Sequence, residues 1–203
     1  MDVVKYFDGL LDSEAAEILV HGARLPKIKE AEGSVGLYGK VLSVGKIKHV
    51  GKNIVRNVLI GDETGCCIVA LWGENARKEI KEGDVIKIIN GFAKQGYYGK
   101  EINVGERSEV RIAEKNIAAQ HCDNFFSIEG KLMKKLPTSV YVNEGKERFI
   151  KRIFVDKHCI FLVNERIKDI NEIETGSYIK IKWAYMKNGR IFVDDIGRIT
   201  EIK

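Results

Sequence analysis

"LIGDETGCCIVALWGENARKEIKEGDVIKI", residues 59–88, holds two strand-like runs joined by a short helical interlude. CCIVALW is apolar throughout, of strand length, and preceded by the turn residues of DETG. Strand side chains alternate between faces, so Cys67, Val69 and Leu71 share one face while Cys66, Ile68, Ala70 and Trp72 share the other. The first set is evenly apolar and suits a barrel interior. Trp72 then stands on the outer face at the end of its strand, where a ring serves as a platform. A ring that caps the end of the interior is the competing reading.

Outward from this stretch the period of two continues. GSVGLYGKVLSV and NIVRNVLIG precede it, DVIKII and KEINVG follow it, and ENARKEIKEG (74–83) reads as helix. Three strands, a short helix and two more strands is the order of an OB-fold, a five-stranded Greek-key barrel. Residues 159–198 can be laid under 67–110, pairing Cys67 with Cys159, Gly83–Ile88 with Gly176–Ile181 and Lys94 with Lys187. A repeat of that length is a tandem domain. Ahead of both, Leu11, Ala15, Ile18, Leu19 and Gly22 fall on one helical face, with Asp12 or Ser13 as N-cap and Leu25-Pro26 as the stop. The expected fold is mainly β: two tandem OB-fold five-stranded Greek-key barrels preceded by a short helical N-terminal segment. The expected divisions are 1–32 for that segment, 33–113 for the first barrel, a linker of helical character over 114–123, and 124–203 for a degenerate second barrel.

Charge follows these divisions. The chain carries a net +5, with 4 basic and 7 acidic residues in 1–33, 13 and 9 in 34–113, and 16 and 11 in 124–203. Basic barrels behind an acidic segment suit a polyanionic partner. No run approaches the roughly eighteen apolar residues of a membrane span. The acidic start MDVVKYFDGLLDSEAAE is unlike a signal peptide. No membrane association and a cytoplasmic, nucleoid-associated location are the expectations. Cys66 and Cys67 read as small buried hydrophobes of a reducing compartment. The two His-Cys pairs, 121–122 and 158–159, lack the short spacing of a zinc site, so no metal and no cofactor are expected.

The loops flanking the Trp72 face carry the candidate ligand groups. Residues 44–53 supply Lys46, Lys48, His49 and Lys52; residues 92–101 supply Phe92, Lys94, Tyr97, Tyr98 and Lys100. Lysines pair with phosphates and rings stack on bases, each stack contributing about 1–3 kcal/mol. Hairpin packing of Tyr97-Tyr98 and plain solvated lysines are the structural alternatives.

Asp62-Glu63-Thr64-Gly65, followed by Trp72-Gly73-Glu74 and Gly83-Asp84, resembles the archaeal replication protein A family of single-stranded DNA-binding OB-folds; the resemblance extends over residues 10–113. It implies that Trp72 stacks on a base, that Lys94 meets the phosphate backbone, and that Tyr97 or Tyr98 supplies a second ring. The second barrel departs from the pattern, with Asn164 opposite Trp72 and its own tryptophan opposite Asn90. There Trp183, Tyr185, Lys187, Arg190 and Phe192 form a separate candidate groove.

No phosphate-binding glycine loop with lysine, rim carboxylate pair or nucleophile–base arrangement is readable, so an enzyme is not expected. The leading expectation is a non-catalytic single-stranded DNA-binding protein acting in replication, repair and recombination. The alternatives are a scaffold subunit of a larger complex, held by replication or repair proteins or sister subunits, and an RNA-binding OB protein.

Overall fold

The computed structural model describes residues 25–119, 122–143 and 146–202, so the helix expected over 1–25 lies outside the described residues except for its stop. The first sheet contains β1 (Gly33–Val50), β2 (Asn53–Asp62), β3 (Gly65–Trp72), β4 (Val85–Gly96), β5 (Gly99–Val104) and β6 (Glu109–Ile112). The second contains β7 (Phe126–Asn143), β8 (Lys146–Val155), β9 (His158–Val163), β10 (Tyr178–Lys187), β11 (Arg190–Val193) and β12 (Arg198–Ile202). Their orders, β1-β2-β3-β5-β4-β6 and β11-β9-β8-β7-β10-β12, close through β1–β4 and β11–β10. These are two OB barrels in tandem, each with a sixth strand beyond the five expected. A short helix bridges the third and fourth strands of each, α1 (Glu74–Arg77) and α2 (Arg166–Asn171). Closure depends on long first strands. β1 pairs with β4 through Gly33–Lys40 and with β2 through Lys40–Val50, and register shifts at Val41/Ser43 and Val44/Ile47 bend it between partners.

Both interiors are aliphatic. Cys67, Val69 and Leu71 face inward with Leu37, Val58, Ile60, Ile86, Ile88, Ile102 and Val104. Leu132, Ile153, Val155, Ile160, Leu162, Ile179, Ile181 and Val193 fill the second barrel. Each large aliphatic side chain fully buried contributes about 1.5–3 kcal/mol. No aromatic ring is among the buried residues of either interior cluster. Phe126 packs half-buried against the second interior, and Trp72 lies outside both clusters.

The Asp62–Gly65 turn ties the first barrel to the stretch before it. Asp62 is buried; its Oδ1 accepts from Thr64 N (2.7 Å), Thr64 Oγ1 (2.6 Å) and Gly65 N (3.2 Å). Its Oδ2 accepts from Ile28 N at 2.8 Å. Ile28 and Ala31 enter the first interior, so its packing begins before Gly33.

Several sequence expectations change. The helix expected over 74–83 is one turn, because only Ala76 and Ile80 reach the interior and Gly83, at φ +97°, turns the chain into β4. The expected flanking loops are hairpins with turns of two residues, Gly51-Lys52 and Tyr97-Tyr98. No helix forms over the described linker residues. The repeat slips by one in the third strand: interior Val69 and Leu71 correspond to interior Ile160 and Leu162, whereas Cys159 lies outside that cluster. A slip of one residue exchanges the two faces of a strand. Cys66 is not a free thiol; it forms a disulfide with Cys122 of the linker, while Cys67 is buried and free.

Candidate nucleic-acid interface

Sheet register assembles a ledge on the outer face of the first barrel. Ala70 pairs with Asn103 of β5, and Asn103 with Phe92 of β4, which places the three side by side beneath Trp72. Trp72, half-buried, donates its Nε1–H to Asn103 Oδ1 at 3.1 Å, and Asn103 Nδ2 donates to Glu101 Oε1 at 3.2 Å. The indole is thereby fixed in orientation while part of its surface stays open. Phe92 is 56% exposed, which is unusual for a phenylalanine in mid-strand. Lys94 follows two residues on, exposed, with no ion-pair partner among the described residues. Two open rings and an unpaired cation on one sheet face can stack on flat bases and meet a phosphate.

The rest of that face is covered. Leu59 and Ile68, outward-facing neighbours on β2 and β3, pack with Cys122, Phe125, Tyr185 and Ile196 in a third cluster joining the barrels. The β1–β2 hairpin leans onto the second barrel. Lys46 Nζ lies 3.0 Å from Glu165 Oε2 and Lys48 Nζ 2.8 Å from Asp195 Oδ1. Arg198 Nη2 donates to Val44 O (2.6 Å), and Ser43 Oγ donates to Ile196 O (2.7 Å). Gly45 is required here, because a Cβ would stand 2.6 Å from Asp195 Oδ2 and 2.9 Å from Asn57 O. Lys46 and Lys48, expected to meet phosphates, are thus turned to carboxylates of the second barrel. Lys100 donates to Lys29 O at 2.8 Å, away from the ledge. Lys52 and His49 remain exposed at the hairpin tip.

The two tyrosines of the β4–β5 turn part company. Tyr97 is exposed, with Lys187 Nζ 2.9 Å from its ring centroid. Tyr98 is drawn into the seam, edge-on to Tyr185 at 4.9 Å, its hydroxyl donating to Asp194. Tyr98 is therefore structural rather than an open ring. Tyr185 is buried beside it. Trp183 is also in the seam, and for a backbone reason: φ is +62° at Trp183, as it is +54° at the matching Asn90. Each coincides with a register shift in its fourth strand, and such a bulge re-aims a side chain. Phe192 is half-buried, Lys187 half-exposed and Arg190 exposed.

Asp194 and Asp195 place two carboxyls at the seam. Burial, then the neighbouring Asp195, pushes the Asp194 carboxyl above the usual range, against the Tyr98 and Ile196 N hydrogen bonds and the charge of Lys48. The folded state consequently binds this proton more tightly than the unfolded chain. The stability it contributes is complete below about pH 3.9, the unfolded value, and is lost as pH rises through the raised folded value. Thermal unfolding at pH 7 and pH 5 should show wild type gaining stability relative to Asp194→Asn on acidification. A difference between the two proteins that does not move with pH would contradict this.

Asn103 and Phe161 were missed from sequence. Asn103 is visible only through the β3–β5 pairing, which joins distant segments. Phe161 was hidden by the one-residue slip, which set it opposite interior Val69. It lies on the outer face of the second barrel, between Arg152 of β8 and Phe192 of β11.

No protein-family model matches the chain. Replication factor A of Methanothermobacter thermautotrophicus is 31% identical over 86 residues, 40% of this chain and 11% of that protein. The single-stranded DNA binding protein Ssb of Saccharolobus solfataricus is 30% identical over 97 residues, 46% of this chain and 65% of that protein. The chain thus spans less than two thirds of either relative. A solved replication protein A heterotrimer bound to ssDNA superposes with a TM-score of 0.53 at 11% identity, over 84% of this chain and 49% of that one. At that identity the likeness is one of fold. No described helix is long and apolar enough to cross a membrane.

Proposed function

We propose that the chain is a non-catalytic single-stranded DNA-binding protein of the replication protein A kind, holding exposed strands during replication, repair and recombination beside the cytoplasmic nucleoid. The observation that carries this reading is the ledge: Trp72 fixed by Asn103, Phe92 open beside it, and Lys94 without an ion-pair partner among the described residues. Similarity to proteins named replication factor A and Ssb supports it. Lysines exposed on the barrel, Lys94 and Lys52, draw the strand in by releasing counterions; Trp72 and Phe92 then stack on bases. Every base has a stackable face, so little sequence preference follows. Sister subunits are the proposed protein partners, since the superposed assembly is a heterotrimer. A scaffold role is the second reading, favoured by the coverage of Leu59 and Ile68 by the second barrel.

Anisotropy titrations with labelled oligothymidylate, oligouridylate and blunt duplex of about thirty nucleotides, at several salt concentrations, separate these readings. The expected result is preference for oligothymidylate over duplex, with log K falling by about 0.7 per neutralised phosphate for each unit of log salt. Equal affinity for duplex and single strand would favour the scaffold role, and preference for oligouridylate would move the substrate to RNA.

A further inference from the structure

We infer that a bound strand continues from the first barrel across the seam onto the second, along a row of rings ending at Phe161. This rests on the reading of the Trp72 ledge as a single-strand surface. The direct path across the first barrel is closed at Leu59 and Ile68 by the seam. The open path runs along β4, whose outer face carries Phe92 and Lys94 before the turn at Tyr97.

Tyr97 begins the crossing. Its ring lies 6.2 Å from Tyr185, Tyr185 stacks on Phe192 at 5.8 Å and 19°, and Phe192 meets Phe161 at 5.2 Å. Backbone register explains the row: Phe161 pairs with Phe192 on β11, and Phe192 with Tyr185 on β10. It is the counterpart of Ala70–Asn103–Phe92 in the first barrel, built from the same three strands. Cations line its outer end. Arg190 holds its guanidinium 5.6 Å from the Phe161 ring centroid, and Arg152 pairs with Phe161 across β8–β9.

Arg152, Arg190 and Lys187 have no ion-pair partner among the described residues. Unpaired cations beside half-open rings fit a ligand with repeating negative charge and flat groups, a single strand of DNA. Phe161 and Phe192 offer stacking surface; Arg152, Arg190 and Lys187 face phosphates. Tyr185 is buried and acts as the support that joins Phe192 to the Tyr97 turn.

One OB barrel holds about 4–16 nucleotides, so oligothymidylates of about 6 and about 25 nucleotides separate one barrel from two. Wild type should bind the longer at least about tenfold more tightly, and Phe161→Ala/Arg190→Ala should lose that gain while binding the shorter as wild type does. Arg152→Glu/Arg190→Glu, which alters only exposed side chains, should behave likewise and exclude misfolding as the cause. The inference is overturned if both double variants hold the longer oligomer as tightly as wild type. Trp72→Ala reports separately: if it binds the shorter oligomer like wild type, the first-barrel reading fails. If wild type binds neither length, both readings fail.

Discussion

Replacing Trp72 and Phe92 together by alanine should weaken binding to oligothymidylate by at least about thirtyfold. Each base stack contributes about 1–3 kcal/mol, and about 1.4 kcal/mol is a tenfold change in affinity. The two rings stand on the same face, with Asn103 hydrogen-bonded to one and paired in register with the other. Loss of Trp72 alone also releases Asn103 to turn, so the single variants need not sum to the double. Neither ring belongs to an interior cluster, so the folded state should survive. A melting temperature within a few degrees of wild type, about what 1 kcal/mol produces in a chain of this size, is the expected control. A collapse of the melt would instead make Trp72 a structural residue.

Replacing Asp62 by alanine should cost about 3–4 kcal/mol of stability. Its carboxylate accepts four hydrogen bonds, one from Ile28 N of the stretch that seats Ile28 and Ala31 in the interior. A hydrogen bond to a charged group contributes about 1.5–3 kcal/mol, and a buried donor left without a partner adds its own desolvation cost. Asp62→Asn keeps one acceptor oxygen and should lose roughly half as much. Denaturant unfolding of the two variants measures both. An alanine variant as stable as wild type would show that the Asp62–Gly65 turn does not hold the barrel.

The first barrel was legible because its constraints are local. Strand lengths, the DETG turn and the alternation of CCIVALW gave the strand order, the inward set Cys67–Val69–Leu71, and the outward position of Trp72. The seam was not legible, because its partners are far apart in the chain: Ser43 meets Ile196, and Tyr98 meets Asp194. Lysines that pair with carboxylates across the seam look, in sequence, like those that meet phosphate. Trp183 was misplaced for another reason. A positive φ at a bulky residue is rare, and no residue type announces it. Phe161 could have been found by weighing Ile160 and Leu162 as the inward pair of β9, which moves the repeat by one residue.

The most direct measurement is photo-crosslinking of the wild-type chain to an oligothymidylate carrying 5-iodouracil, with the adducts located by mass spectrometry. Adducts on Trp72 and Phe92 are expected, with a weaker set on Tyr97 and Phe161 when the oligomer is long enough to cross the seam. Saturable binding with adducts confined to other surfaces, or no saturable binding, would contradict the assignment of this face to single-stranded DNA.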